Sequence, residues 1–401
     1  FAHPRGSRYN HDHGYCLGVC HQVWVRASGD QVSNRDGAVR YVAQTMPGLE
    51  AVCCAEIQRR LGVPCLSTKV LPKRNGLALF SYGGSASDLL SLRTAEDVFS
   101  VLAQIRVHWG YEGLSEIYEA MLHNDGLSRA LGLWQEVTGR RTPRRVTFRV
   151  IARMETKNPP YRRFDLRRAV ERGLQKRSRR RWRAVGEGEQ VEVWATLVGF
   201  EFICGLRLSS AAMRHRDYQV AHIPASLRPS VAAAMVWLSD PRPDDVFMDA
   251  MCGAGTILVE RALAARHGLL VGGDVADQAL QAAAANIGRK HKPRQLFRWD
   301  AKRLPLRSGS VSRAATNLPF GRRIGDPAQL RSLYAGFLGE LDRLLSAEGR
   351  AVLLTSETRL LNDLVGGIQG LRIAQRQRVT LLGRWATIHT IERGNANPGR
   401  R

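Results

Sequence analysis

The stretch "VFMDAMCGAGTILVE", Val246 to Glu260, decides how the C-terminal half of this 401-residue chain folds. Val246, Phe247 and Met248 form a short apolar run of the kind buried on both faces of a parallel sheet. Asp249 ends the run. Gly253 and Gly255 let the backbone turn tightly and approach a ligand, and Thr256 opens an apolar-periodic helix. Strand, glycine turn and helix begin an open α/β sheet whose ligands bind outside the carboxyl ends of its strands. A dinucleotide fingerprint would need glycine at 258, where Leu258 stands, and the Gly-Lys-Ser/Thr of a phosphate loop is missing.

Working outward, "LLVGGDV", "QLFRWDA", "SRAATNL", "AVLLTS", "RVTLLG" and "ATIHTIER" read as further strands with helices between them. The second strand ends at Asp274, about twenty residues past the glycine turn, where a carboxylate can accept both hydroxyls of a ribose. The third ends at Asp300 and Ala301, beside the same crevice, where a carboxylate can accept from an adenine amino group. The fourth ends in Asn317, Leu318, Pro319 and Phe320. Each element alone is an ordinary tight turn or helix cap. In this order on consecutive strands they describe an S-adenosylmethionine-dependent methyltransferase. The expected cofactor contacts are Asp249, Cys252, Gly253, Gly255, Thr256, Asp274, Asp300, Ala301 and Asn317, with Cys252 a small packing residue of the turn.

The segment "NLPFGRRIGD", Asn317 to Asp326, supplies the chemistry. The Asn317 side-chain oxygen and the Leu318 carbonyl accept hydrogen bonds from an exocyclic amine, and Phe320 stacks on the ring. Pro319 fixes the loop so that both acceptors are aimed before the base arrives. A carbon-5 pyrimidine methyltransferase would need a cysteine nucleophile, and none follows Cys252. No metal is expected at this site.

A net charge of +24, carried mostly by arginine, points to a polyanionic partner. The charge clusters. "RRTPRRVTFRVIARM" places Arg144, Arg145 and Arg149 on the approach to and within a half-buried strand. "RRFDLRRAVERGLQKRSRRRWR" reads as a helix ending in Lys176, Arg177, Arg179, Arg180, Arg181, Trp182 and Arg183, with no acid from 175 to 183. Cations tracking phosphates with an aromatic to cover a base are a nucleic-acid signature.

"GLEAVCCAEI", "LRTAEDVF", "TFRV" through "GLRLS", "HRDYQ" and "ASLRPSVAAAM" carry a family resemblance across residues 40–393. With "NLPFGRRIG", they resemble the THUMP-domain tRNA methyltransferases, and most closely the branch making N2-methylguanosine at position 6 of tRNA. The branch acting at position 10 more often has aspartate and tyrosine in this loop. The resemblance implies an N-terminal ferredoxin-like part plus a THUMP module that holds the tRNA acceptor end and stem, followed by a Rossmann-like class I methyltransferase domain. It also implies that Arg228 helps form the cofactor site. Position 10 of tRNA, a ribosomal RNA guanine, or a non-catalytic RNA-binding protein of this fold remain alternatives.

The expected division is a disordered leader at 1–39, a ferredoxin-like domain at 40–108, a THUMP domain at 109–210, a linker at 211–224 and a methyltransferase domain at 225–401. Residues 115–134 read as a continuous helical stretch, and "SASDLLSLRTAEDVFSVLAQI" as a helix followed by a strand. Seven scattered cysteines argue against disulfides and for a reducing cytoplasm. His11, His13, Cys16, Cys20 and His21 crowd one short stretch, but its surroundings read as unstructured. No apolar run reaches the roughly 18 residues a membrane helix needs.

Overall fold

Short apolar strands with alternating side chains need cover, and in this chain two separate sheets obtain it in different ways. The computed structural model describes residues 38–71, 74–141, 143–156, 158–224, 226–321, 326–381 and 383–394. The histidine and cysteine cluster at 11–21 lies outside them.

The first sheet is built from β1 (Val39–Thr45), α1 (Glu50–Leu61), β2 (Cys65–Leu71), β3 (Asn75–Tyr82), β4 (Ala95–Arg106), α2 (Tyr111–Leu122), α3 (Leu127–Thr138), β5 (Val146–Glu155), α4 (Arg163–Arg177), β6 (Trp182–Ala184), β7 (Val191–Val198) and β8 (Glu201–Arg207). Strand order is β2-β3-β1-β4-β8-β7-β5-β6. Antiparallel pairing of β4 with β8 joins the segments 40–108 and 109–210 into one continuous sheet. Helices cover one face, where Tyr41, Phe80, Phe148 and Phe202 pack with Ile57, Ile117 and Leu166. The other face carries a smaller cluster around Val42, Phe99, Trp194 and Ile203.

Several local expectations are corrected. The basic helix stops at Arg177, and Arg179 and Arg180 turn through φ of 49° and 61°. Trp182 then begins β6 beside β5, 5% exposed and 5.3 Å from the Phe148 ring, so burial of an apolar indole ends the helix and Trp182 is no exposed platform for a base. The 115–134 stretch is two helices, broken where the Asn124 amide donates to the Leu102 carbonyl at 2.6 Å. The helix expected before β4 is a short 3-10 helix at Ala86–Ser91. Cys54 and Cys65 form a disulfide that ties α1 to β2, against the expectation of reduced thiols throughout.

The second sheet comprises α5 (Pro229–Leu238), β9 (Val246–Asp249), α6 (Thr256–Ala264), β10 (Leu269–Asp274), α7 (Asp277–Ile287), β11 (Arg294–Arg298), β12 (Val311–Asn317), α8 (Pro327–Leu344), β13 (Leu345–Thr355), α9 (Thr358–Gly366), β14 (Leu371–Leu381) and β15 (Arg384–Arg393). Its order is β11-β10-β9-β12-β13-β15-β14, parallel except for the antiparallel β15. Phe247, Leu270, Ala315 and Val352 pack on one face, and Met248, Val271, Ala314 and Leu353 on the other. That two-sided burial is why the strands read as unbroken apolar runs. The order reverses between β10 and β12 on either side of β9, which opens a crevice at their carboxyl ends.

The two sheets share a seam. Met46, Leu49 and Val52 of the first belong to the core around α5 and Val379 of the second. A side chain at Gly48 would place its Cβ 2.0 Å from the Arg378 carbonyl oxygen. Glu260 of α6 is buried and receives Arg93 Nη2 at 2.9 Å and the Tyr218 hydroxyl at 2.6 Å, with Arg216 Nε 3.8 Å away. Among the described residues no helix is long and apolar enough to cross a membrane.

Replacing Arg93 with alanine strands the Glu260 carboxylate at this seam. The expected loss is about 3 kcal/mol, the lower end for breaking a buried pair because Tyr218 and Arg216 remain. Urea unfolding of parent and variant measures it, and coincident curves would reduce the contact to surface value.

Candidate functional site

At the end of β9 the chain turns through Gly253 and Gly255, with φ of 52° and 75°. Gly255 also sits against α7, where an added Cβ would lie 3.1 Å from Ala283 Cα. The Cys252 amide donates to the Gly273 carbonyl at 2.9 Å, and the Gly253 amide to Asp274 Oδ2 at 3.0 Å. The first turn is thereby fastened to the end of β10. Cys252 and Thr256 are buried beneath it.

Asp274 also accepts from the Ala276 amide at 3.1 Å, which fixes its carboxylate at the mouth of a cavity of about 760 Å³. Asp300, Ala301, Asn317 and Pro319 line the same cavity. Asp300 is half-exposed and accepts from the Lys302 amide at 3.0 Å. Asn317 closes β12, and its Oδ1 is buried without a hydrogen-bond partner. Five of the expected residues therefore meet in one space.

Others lie behind or away from it. Asp249 is 1% exposed and does not line the cavity. Burial pushes its carboxyl up to about 8, against the pull of the Thr316 hydroxyl and the Met251 amide, with the Asp274 charge adding to the rise. Leu318 is buried and anchors the loop by donating its amide to the Leu354 carbonyl at 3.0 Å. Phe320 is half-buried against the core cluster of α5 and does not line the cavity. Arg322, Arg323, Ile324 and Gly325 are outside the described residues. Arg228 caps the start of α5, pairs with Glu96 at 3.0 Å and faces a different cavity.

Two residues of the site escape a sequence reading. Trp299 walls the cavity and donates its indole N–H to the Ala250 carbonyl at 2.9 Å. It fits because Gly273 has no side chain, since a Cβ there would lie 2.1 Å from the indole. The glycine pair in "VGGD" was the available signal. Tyr334 of α8 donates to the Pro319 carbonyl at 2.9 Å and contacts the Thr355 hydroxyl at 2.8 Å, holding the Asn317 loop from below. Nothing local marks a helical tyrosine for that contact.

The positive charge gathers at a second place. Between α2, α4 and β6 lies a cavity of about 1340 Å³ lined by Arg145, Arg168, Arg172, Lys176, Arg180, Arg181 and Arg183, with Asp165 its one carboxylate. Arg168 and Arg172 went unnoticed in the sequence, although their four-residue spacing to Lys176 puts all three on one helical stripe. Arg149 is instead paired with Glu189 at 2.8 Å and Glu192 at 3.0 Å, and Arg177 donates to the Asn124 carbonyl at 2.9 Å. Arg144 and Arg179 do not line it. Elsewhere the ligand atoms of His108, Glu112 and Glu116 come within 4.8 Å of one another, and the Glu116 hydrogen bond raises the His108 pKa.

Residues 216–387 match the family model described as the RMKL-like methyltransferase domain. The human tRNA (guanine(6)-N(2))-methyltransferase THUMP3 is 33% identical over 47% of this chain and 40% of its own length. The tRNA (guanine(6)-N2)-methyltransferase of Thermus thermophilus is 30% identical over 57% of this chain and 66% of that protein. The crystal structure of TrmN from Thermus thermophilus superposes with a TM-score of 0.73 at 25% identity, covering 88% of this chain and 99% of that one. The chain spans less than half the length of the mammalian relatives it matches. The C-terminal sheet has the fold of a methyltransferase domain over the matched residues, and the chain is similar to THUMP-type guanine-N2 methyltransferases in sequence and in fold.

The Asp249 carboxyl has a titration consequence. Its folded pKa of about 8 lies above the ordinary aspartate value of 3.8, so folding favours the protonated form. The stabilisation is full below pH 4 and is lost as pH rises through the folded pKa, by at most about 1.4 kcal/mol per pH unit. Without ligand, Asp249→Asn should therefore gain on the parent in urea midpoint from pH 5 to pH 7. Parallel midpoints would mean that Asp249 is already ionised.

Proposed function

We propose that the protein transfers a methyl group from S-adenosylmethionine to the exocyclic N2 of a guanine in tRNA, at position 6 of the acceptor stem. The observation that carries this reading is the buried, unpartnered Asn317 oxygen at the rim of the cavity. A buried acceptor without a donor costs about 1–3 kcal/mol, and an amine arriving in the cavity would satisfy it.

The residues present suit the cofactor. Asp274 has acceptor capacity left beyond its two amide donors and faces the cavity, as a pair of ribose hydroxyls requires. Asp300 would accept from the adenine amine, and Trp299 and Ala301 would flank the ring. Gly253 and Gly255 keep the turn low enough for close approach, and Asp249 acts through that turn. When bound, S-adenosylmethionine supplies a methyl group activated on a sulfonium.

Asn317 Oδ1 and the Leu318 carbonyl would each accept one N2–H of guanine. Both acceptors pull proton density off the amine and turn its lone pair toward the cavity. Because Tyr334 and the Leu318 amide already fix the loop, little reorganisation remains for the transition state. To cover the ring, Phe320 would have to turn out of the α5 core cluster toward the cavity. In this reading the first sheet is the ferredoxin-like and THUMP part, at 40–108 and 109–210, and its basic groove holds the acceptor end and stem by phosphate contacts that carry no sequence information. The methyltransferase domain spans 225–401, after a linker at 211–224. The cytoplasm, where tRNA is found, is the matching compartment.

Asn317→Ala should leave S-adenosylmethionine affinity nearly intact and cut methyl transfer to tRNA by about a hundredfold or more, as for loss of one preorganised polar group. Transfer at the parental rate removes Asn317 from the mechanism. Nucleoside mass spectrometry of tRNA from cells lacking the protein identifies the guanine.

Serine at Arg168, Arg172 and Arg180 together should flatten the slope of log affinity for tRNA against log salt by about two to three, one phosphate per cation. Fluorescence anisotropy across a salt series reads the slope. An unchanged slope would send the RNA to another face.

A further inference from the structure

A third cavity, about 380 Å³, opens where the first sheet meets the turn between β14 and β15 and the start of α5. Arg74, Arg153, Arg214 and Arg228 line it, with Glu96 as the one carboxylate in the wall. Three of these guanidiniums are paired: Arg74 with Glu155 at 2.8 Å, Arg214 Nε with Asp97 at 2.7 Å, and Arg228 with Glu96 at 3.0 Å. Arg153 is not. It donates to the Asn75 amide oxygen and lies 4.1 Å over the Trp194 ring, and no carboxylate among the described residues pairs with it. Burial first, then the Arg74 and Arg214 charges, lower its pKa to about 10. A half-buried cation crowded by like charges is costly unless an anion arrives.

Its place in the fold says which anion. β12 runs parallel to β13, β13 antiparallel to β15, and β15 antiparallel to β14. The end of β14 therefore emerges on the same edge of the sheet as Asn317. Register connects Asn317 to Leu354, Leu354 to Ile388 and Ile388 to Gln377. Three strand spacings, and three residues more along β14 to Thr380 in the cavity wall, amount to roughly 15–20 Å. That is the span of a few nucleotides of an RNA helix.

We propose that this arginine cavity holds one backbone phosphate of the RNA substrate, a few nucleotides from the methylated guanine. It rests on the RNA-methylation reading above. The fork of Arg153 faces the phosphate with Arg228 beside it, which assigns Arg228 to the RNA and not to the cofactor. The bound strand thus has a fixed point between the basic groove and the crevice, at the seam of the two sheets. Planar guanidiniums suit a phosphodiester by paired N–H donors, where a lysine would offer a point charge.

The test uses the full chain and a tRNA first shown to accept labelled methyl from the parent enzyme. Failure of every tRNA to accept methyl refutes the RNA reading before the cavity is probed. Single uncharged methylphosphonates are then placed in turn at the backbone positions near the target guanine. With the parent, one position should lower affinity about tenfold, the worth of one charge-assisted contact. Arg153→Gln should show that loss with unmodified tRNA and no further loss with the same methylphosphonate, whereas Arg153→Lys keeps part of the sensitivity. An unchanged melting temperature and S-adenosylmethionine affinity certify that the variant is folded. If it is not, Arg74→Gln, whose side chain is 40% exposed, carries the same comparison. A folded variant with parental tRNA affinity, or losses that add at every position, overturns the proposal. So does Arg153-dependent stabilisation by inorganic phosphate with tRNA affinity unaffected, which would make the cavity a site for a free anion.

Discussion

The carboxylate of Glu260 is the point on which the arrangement of this protein depends. It sits inside α6, which follows the glycine turn of the crevice, and its partners come from outside that domain core: Arg93 from the turn before β4, Tyr218 and Arg216 from the connection between the sheets. Burial and then the Glu260 charge push the Tyr218 phenol far up, so it remains a donor. A buried charge tolerates little displacement of its partners, because a lengthened ion pair still bears the full desolvation cost. The Arg216 guanidinium also donates to the Arg93 carbonyl at 2.9 Å, so the two arginines share the carboxylate as one unit. Gly48 adds a steric constraint of the same kind on the far side of the seam, where the loop before α1 lies against β14.

Fixed sheets give the two cavities a meaning that neither has alone. A basic groove is only an adhesive surface until something at a set distance reads one nucleotide. A crevice with two carboxylates and an open amide oxygen is only a small-molecule pocket until a polymer is presented to it. The seam supplies the missing geometry. It also explains why the arginine cavity lies where it does: charges contributed by both sheets, Arg153 from one and Arg228 from the other, meet only because the seam is closed.

Arginines of similar appearance in the sequence serve different ends. Arg149 and Arg207 lie among Glu189, Glu192 and Asp97 and neutralise the interior of the first sheet. Arg261 is fully buried and bonds the carbonyls of Ala265 and Arg266. Arg145, Arg168, Arg172 and Arg180 instead line a groove in whose wall Asp165 is the one carboxylate. Net charge announces a polyanion, and only the pairing pattern says which cations are free to meet it.

Much of the second domain was legible in its chain. Two-sided burial forces continuous apolar runs, and Asp274, Asp300 and Asn317 stand out as the polar residues at or just past the ends of those runs. That is local chemistry, and periodicity carries it. The glycine turn belongs to the same class, because a positive φ is a property of one residue. What the sequence could not determine were contacts between residues distant along the chain. Trp182 looks like an interleaved aromatic until a strand 30-odd positions earlier needs an apolar neighbour at its edge. Cys54 and Cys65 become partners only when α1 and β2 fold back on each other. Trp299, Tyr334 and the Arg93–Glu260 pair have no local signature, since each is defined by an atom on another element. Tertiary structure alone decided these, because packing, pairing and burial are set by where the chain returns and not by the residues beside each site.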